Sequence, residues 1–400
     1  MDTNIKQIII TEVGTRDGFQ SEKKTIDTKD KVSLINDLIQ SGFKRIEFSS
    51  FVSPKAIPQL ADADEVIKGI KRKSDTTLTA LVPNLRGAIR AVEAKIDEIV
   101  VFLSASESHN NKNLNRSIKD SLLGFEEVIK LANDANIPVH GDISTAFGCP
   151  FEGDISSKKI VEITKEYKNL GFKGVTLGDT TGMATPPVVT KAIRDIKENV
   201  PGFEITLHFH NTRGVGLANV LVGLNEGIIH YESCFGGIGG CPFAPDATGN
   251  ICTEDLVYLM HEMNIDTGID LNKLINIAKK AETILGYSLP GQVMHAGPRL
   301  KKYSIKNVPT ATGVWSDMSE RGALHGIKVI DLTRVISGPF CTLLLADMGA
   351  EVIKVEPPKG DVVRNQGNFV DGFSTYFAQF NRNKKSVILD LYSDKDKEIF

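Results

Sequence analysis

From residue 7 to about residue 290 the chain repeats one pattern eight times: a short β-rich run, then an amphipathic segment of helical period. The runs read QIIITEVG, KRIEFSS, TTLTALV, EIVVFLS, IPVHGDIS, GVTLGDT, EITLHFH and IIHYESCF. Parallel strands need a crossover between them, and a helix supplies it, so the repeat predicts βα units in one parallel sheet. Eight such units fit a closed (β/α)8 TIM barrel of the α/β class; strand counting alone leaves an open doubly wound sheet as the alternative. In the first unit Thr28 is expected to cap a helix whose apolar positions include Val32, Ile35, Leu38 and Ile39, with Gly42 ending it. Barrel enzymes carry their chemistry at the C-terminal ends of the strands. Arg16, Asp17, Glu47, Asp179, His208, His210 and Cys241 all fall at or after such ends.

After PGQVMHAGP and the polar stretch around WSDMSERGALHG the pattern restarts, with GIKVIDLTRVISGPFCTLLLADMGAEVIKVEPP reading as strand, helix and strand. Pro339 lies near the start of that helix and Gly349 at its end. A further strand, SVILDL, and a helix capped by Ser393 follow, and the module reads as incomplete. The predicted division is residues 1–302 for the barrel, 303–325 for a linker and 326–400 for a partial, Rossmann-like α/β module.

Composition narrows the function classes. Lys+Arg 47 against Asp+Glu 50, a net charge of -3, leaves no broad basic field, so no nucleic-acid partner is expected. No apolar run is long enough to span a bilayer and the start has no signal-peptide pattern, which predicts a cytoplasmic protein without a membrane partner. Five cysteines, at 149, 234, 241, 252 and 341, form no C-x-x-C pair and argue against a disulfide framework or a structural zinc.

The His208-x-His210 pair in LHFHN sends both imidazoles to one face of a strand. By itself that is compatible with two ordinary buried histidines. Asp17 in EVGTRDGFQ and Asn250 in ATGN add oxygen ligands from other strand ends, and two nitrogens with hard oxygens suit Mg2+ or Mn2+ in an open site. Arg16 is either half of a surface ion pair or a cation placed to stabilise a developing enolate oxygen. GGIGGCPFAPDATGN, with five glycines and two prolines, predicts a shaped loop or lid around Cys241. Cys234 and Cys252 read as small apolar residues. Glu12 and Glu47 face the barrel mouth, where a carboxylate needs an ion pair or a function. Asp97, Glu98, Glu126 and Glu127 read as solvated helix-end charges, and SESHNNKNLNRS as a polar loop that could also hold phosphates.

EVGTRDGFQSEK, RIEFSSFVSPKAIPQLAD, GCPFEG, TLGDTTGMATP, LHFHN and GGCPFAPDATGN, in this order over about residues 5 to 290, resemble the 3-hydroxy-3-methylglutaryl-CoA lyase family. The resemblance implies a divalent metal on Asp17, His208, His210 and Asn250, with Arg16 stabilising an enolate. It also implies a lid cysteine at Cys241 and active-site acids at Glu12, Glu47 and Asp179. The family pattern has Asp after the second histidine, whereas this chain has Asn211, wording closer to the related Claisen-type synthases such as isopropylmalate synthase. Residues 326–400 resemble the opening of a family III CoA-transferase, through IKVIDLTRVISGPFCTLLLADMGAEVIKVEPPKGD and FNRNKKSVILDL.

The implied reaction is retro-Claisen cleavage of a 3-hydroxyacyl-CoA such as 3-hydroxy-3-methylglutaryl-CoA, or a close analogue such as citramalyl-CoA. The hydroxyl proton leaves to Asp17 or His208, the C–C bond breaks, and Cys241 supplies or relays the proton that quenches the acetyl-CoA enolate. CoA enters only as part of the substrate, and a homodimer is the expected assembly. The rival readings are a Claisen condensing enzyme on the same barrel, a CoA-transferase, and a non-catalytic CoA-binding remnant.

Overall fold

The computed structural model describes residues 5–240, 249–302 and 322–400. It forms two compact units, Met1–Leu300 and Lys301–Phe400. Most of the expected linker, 303–321, lies outside the described residues.

In the first unit eight parallel strands close in sequence order: β1 (Ile9–Glu12), β2 (Arg45–Ser50), β3 (Thr77–Leu81), β4 (Glu98–Ser104), β5 (Val139–Ser144), β6 (Gly174–Gly178), β7 (Glu204–His208) and β8 (His230–Ser233). Pairing of Ile9 with His230 and Glu12 with Ser233 shuts the ring, so the open-sheet alternative falls away. Strand alternation separates two populations. On β4, Ile99, Val101 and Leu103 are wholly buried in the core beneath the outer helices, while Phe102 lines the cavity at the barrel mouth.

The barrel interior is polar, and several of its side chains pair from strand to strand. Glu98, expected as a solvated helix-end charge, instead opens β4, is 1% exposed, and takes Arg45 of β2 on both oxygens, one contact being 2.7 Å. Burial in the lumen forces that pairing, because an isolated carboxylate there would be too costly. His140 Nε2 lies 3.1 Å from the Thr176 hydroxyl, which donates to Glu232 Oε1 at 3.2 Å, joining β5, β6 and β8.

Two local expectations need correction. Thr28 is the first residue of the helix Thr28–Ser41 rather than its cap; Asp27 holds the cap position, and the Thr28 hydroxyl donates to Asp62 Oδ2 at 2.7 Å. Gly42 does end this helix, at φ 112°, and a Cβ there would lie 2.1 Å from the Gly268 carbonyl oxygen. SESHNNKNLNRS is not a loop but contains the helix Glu107–Leu114, capped by Ser106, whose hydroxyl accepts from His109 N at 3.0 Å.

The second unit has a parallel three-stranded sheet in the order Lys384–Ile388, Glu351–Glu356, Lys328–Asp331, with the helix Ser337–Asp347 following the last of these in sequence. Pro339 is the third residue of that helix and Gly349, at φ 95°, follows its end. Ser393 stands at the cap position of Asp394–Ile399 without a side-chain capping bond. Buried Lys354 pairs with Asp361, and buried Lys384 with Asp331, each at 3.0 Å. No helix among the described residues is long and apolar enough to cross a membrane.

Arg45→Ala would leave Glu98 buried without its counter-charge, so the barrel should lose about 3–5 kcal/mol of stability. Urea unfolding followed by circular dichroism reads this out; a loss below about 1 kcal/mol would mean that water reaches Glu98 and replaces the guanidinium.

Candidate active site at the barrel mouth

β1 ends at Glu12, and the chain turns through a five-residue helical segment, Gly14–Gly18, that carries Arg16 and Asp17. Gly14 is dictated by crowding: its N–H donates to Glu12 Oε1 at 2.8 Å, and a Cβ would come within 2.7 Å of that oxygen and of the Phe235 ring. Phe19 packs edge-on to Phe235 with centroids 5.8 Å apart, fixing the turn against the loop after β8. Arg16 is buried, with Nε on Glu47 Oε1 of β2 and Nη1 on Asp17 Oδ1 at 2.6 Å.

His208 closes β7 and His210 follows it, their ring centroids 5.3 Å apart, with Phe209 wholly buried between them. Asp17, His208 and His210 present ligand atoms within 4.8 Å of one another. Asn250 completes the group: its Nδ2 donates to Asp17 Oδ2 at 2.8 Å and to the Ile238 carbonyl at 3.1 Å. Asn250 Oδ1 and His210 Nδ1 are buried and have no hydrogen-bond partner among the described residues. Two orphaned buried lone pairs beside a carboxylate and a second imidazole fit a hard divalent cation, which would satisfy all of them.

Arg16, Asp17, His208 and His210 line one cavity of about 310 Å3, with the helix Glu107–Leu114 contributing His109, Asn113 and Leu114 to its wall. The structure therefore brings together six of the expected residues, the four metal-site candidates with Arg16 and its partner Glu47. Of these, Glu47 and Asn250 are reached through Arg16 and Asp17 and do not line the cavity, and neither do Glu12 and Asp179. Glu12 takes Gly14 N–H, Phe235 N–H at 2.9 Å and the Thr253 hydroxyl at 2.7 Å. Asp179 Oδ1 takes Met183 N–H at 2.7 Å and Ala184 N–H at 2.9 Å, holding the loop after β6. Cys241 lies outside the described residues. Cys234 and Cys252 are buried, and the Cys252 thiol donates to Glu254.

Burial and charge split the acids into two sets. Burial alone would raise Asp17, but Arg16 and the two histidines outweigh it and hold the carboxyl down at about 2. Burial pushes Glu47 up to about 7 against the pull of Arg16, and Asp179 up to about 7 against its two N–H donors. Glu12 rises to about 8 for the same reason, offset by its own donors. Burial lowers His210 to about 4, leaving a neutral ring with a free lone pair. Burial also works against the His208 imidazolium, yet the Glu232 hydrogen bond and the Asp17 charge lift it to about 9. A cation bound through His208 would have to displace the proton that Glu232 and Asp17 favour there.

Three acids were missed by the sequence reading. Glu232 of β8 accepts from His208 Nδ1 at 3.0 Å, which turns Nε2 toward Asp17 Oδ2, 4.0 Å away. Asp142 of β5 lines the cavity. Glu254 takes Gly236 N–H at 2.9 Å and is raised by burial to about 7. For Glu232 and Asp142 the available signal was a charged residue inside a β-run, in IIHYESCF and IPVHGDIS, where a lumen-facing side chain must be paired or functional; Glu254, in the first turn of the helix Thr253–Glu262, carried no such signal.

Glu232→Gln should keep the fold but lose the fixed His208 tautomer, weakening Mn2+ binding about 10- to 100-fold. Calorimetric titration with Mn2+ measures it, and an unchanged affinity would show that Glu232 does not orient the ligand.

Comparison with known proteins now places the chain. The HMGL-like family model matches residues 7–280, and the CoA-transferase family III model matches residues 324–400. Hydroxymethylglutaryl-CoA lyase YngG of Bacillus subtilis is 43% identical over 287 residues, 72% of this chain and 96% of that protein. The 3-hydroxy-3-isohexenylglutaryl-CoA/hydroxy-methylglutaryl-CoA lyase of Pseudomonas aeruginosa is 40% identical over 283 residues, 71% and 94% of the two chains. The solved HMG-CoA lyase from Acinetobacter baumannii, in complex with coenzyme A and 3-methylmalate, superposes with TM-score 0.73 at 43% identity, covering 76% of this chain and 100% of that one. The resemblance read from the motifs holds over both segments: this chain belongs to the HMGL-like family through its barrel and carries a CoA-transferase family III segment behind it.

Proposed function

We propose that the barrel is a divalent-metal-dependent carbon–carbon lyase that cleaves 3-hydroxy-3-methylglutaryl-CoA, or a close analogue, to acetyl-CoA and an oxo acid. The observation that carries this reading is the buried Asp17, His208, His210 cluster with the orphaned Asn250 Oδ1, set beside a buried arginine in one cavity. A CoA ester as substrate is supported by the A. baumannii lyase, which was solved with coenzyme A.

Mg2+ or Mn2+ held by Asp17, His208, His210 and Asn250 would supply Lewis-acid polarisation of the substrate oxygens. The rest falls to the chain's own groups. The 3-hydroxyl proton leaves to Asp17 or His208, the C2–C3 bond breaks as C3 becomes a ketone, and the electron pair passes to the thioester enolate. Arg16, already desolvated, offers its guanidinium to that oxygen. Protonation at C2 gives acetyl-CoA, with Cys241 as the proposed donor. Glu12, Glu47 and Asp179 are assigned to holding Arg16 and the surrounding loops.

Asn211, the departure that pointed toward condensing synthases, does not line the cavity: its Oδ1 accepts from Gly216 N at 3.2 Å within its own turn. The lyase reading is accordingly preferred to the condensing one. We assign lyase chemistry to residues 1–302, with 303–325 as linker and 326–400 as a separate CoA-transferase-like module.

Incubation with 3-hydroxy-3-methylglutaryl-CoA and Mg2+ should release acetyl-CoA and acetoacetate. Chelator should abolish the release and added Mg2+ or Mn2+ restore it; full activity in excess chelator would remove the metal from the mechanism. Cys241→Ala should lower kcat about 10²-fold or more with circular dichroism unchanged. Normal turnover in that variant would transfer the acid role elsewhere.

A further inference from the structure

The cavity at the barrel mouth has two unlike sides. Arg16 and Asp17, in the turn after β1, and His208 and His210, at the end of β7, make one side charged and polar. Another stretch of wall is apolar. It consists of Val52, Ala56 and Ile57 in the loop after β2, Leu81 at the end of β3, Phe102 of β4 and Leu114 at the end of the helix that follows β4. The strands close in sequence order, so in this ring of eight β3 and β4 lie across the mouth from β7 and β8. The apolar wall therefore faces the charged one through the cavity.

This wall is not an extension of the core. Phe102 is the one residue of β4 that is not fully buried, because its ring faces the cavity, and Val52, Ile57 and Leu114 are likewise half-buried. Polar groups beside the wall are already engaged. Ser50 Oγ donates to the Leu81 carbonyl at 3.1 Å, Arg116 Nη2 donates to the Pro83 carbonyl at 2.6 Å, and the Ser104 hydroxyl pairs with His109 Nδ1. What this side offers a ligand is contact area, and an apolar group that displaces water from it is the natural occupant.

A 3-hydroxyacyl-CoA has two parts long enough to reach it, the substituent on C3 and the pantetheine arm. The arm carries amides that need hydrogen-bond partners, and it must lead out of the mouth, whereas Leu81 and Phe102 belong to strands of the barrel, as His208 does. With the hydroxyl and acyl oxygens drawn to Arg16, Asp17 and the histidines, the alkyl substituent on C3 is the group left to cross the mouth. At the outer end of the wall stands Ala56, exposed in a turn whose Ala56 and Ile57 N–H groups both donate to the Ser53 carbonyl, at 2.9 and 3.1 Å. Its one-carbon side chain leaves that end open.

We propose that Ile57, Leu81 and Phe102 form a pocket for the alkyl substituent on C3, that Ala56 sets how long this substituent can be, and that the barrel cleaves 3-hydroxyacyl-CoA esters whose C3 substituent is several carbons longer than methyl. This rests on the lyase reading above and adds to it the side chains that select the substituent.

The test is steady-state cleavage, with Mg2+, of 3-hydroxy-3-alkylglutaryl-CoA esters carrying methyl, ethyl, butyl or hexyl at C3, by wild type and by Ala56→Trp. For wild type, kcat/KM should rise about fourfold per added methylene from methyl to butyl, the transfer preference of one buried CH2. The indole of Ala56→Trp closes the open end from an exposed turn, so circular dichroism should be unchanged while the hexyl-to-methyl ratio of kcat/KM falls about 10- to 100-fold. A wild-type series that stays flat or falls from methyl onward overturns the pocket and leaves the lyase reading standing. So does an unchanged hexyl-to-methyl ratio in folded Ala56→Trp, which would give the wall to the CoA arm that all four esters share. If Ala56→Trp does not fold, the wild-type series decides alone. Absence of acetyl-CoA release from every ester overturns the lyase reading and this inference with it.

Discussion

The site depends on one buried cation. Arg16 sits at the barrel mouth almost out of contact with solvent, and moving a guanidinium there costs several kcal/mol unless negative charge meets it. Glu47 from β2 and Asp17 from its own turn supply that charge. Asp17 is then committed on both oxygens, to Arg16 and to Asn250. Through Asn250 the same network reaches the far side of the loop that follows β8. The placement of Asp17 and Asn250 in the candidate metal site thus follows from the requirement to neutralise Arg16.

Once the cation is placed, the acids around it divide by what each can find as a partner. Asp17 has Arg16 and two imidazoles and stays ionised at any ordinary pH. Glu47, although bound to Arg16, is more deeply buried and stands near Glu232, so burial wins and its carboxyl rises. Glu232 goes the other way, held low by the His208 hydrogen bond against the pull of burial. A site of this kind holds ligand-type and proton-holding carboxyls a few ångströms apart, which is how one cavity can both bind a cation and move protons near neutral pH.

Much of this was legible in the sequence, for a physical reason. Strands of a closed parallel barrel are covered on the outside by helices, so QIIITEVG, EIVVFLS and the other runs stay apolar enough to be recognised, and all eight form the barrel. Residues just past strand ends were legible because barrel loops carry unusual side chains there, and Arg16, Asp17, His208 and His210 do meet. The lumen was harder to read. Glu98, Asp142 and Glu232 belong to strands, but a one-dimensional pattern does not say which strand supplies each partner: Glu98 needs Arg45 fifty-three positions earlier, and Glu232 needs His208 twenty-four positions earlier. SESHNNKNLNRS failed for a related reason. Its polar composition suits a loop, yet Ser106 caps it into a helix whose inner side forms cavity wall.

Glu12 shows how a residue can belong to a site without entering it. Its Oε1 takes N–H groups from Gly14 and Phe235, in the loops after β1 and β8, and its Oε2 takes the hydroxyl of Thr253 at the start of the next helix. Three donors on one carboxyl favour the charged form while burial opposes it, and burial wins, lifting the group to about 8. Neither oxygen is left to reach the cavity. What the carboxyl does control is the separation of the two loops: one carries Arg16 and Asp17, and the other leads to Asn250, the residue that must meet Asp17 at 2.8 Å. Losing one of Glu12's donors would let those loops drift, and a shift of a few tenths of an ångström there is felt directly at the Asp17 to Asn250 contact. In this geometry the Glu12 carboxyl ties the loop that carries Arg16 and Asp17 to the loop that leads to Asn250.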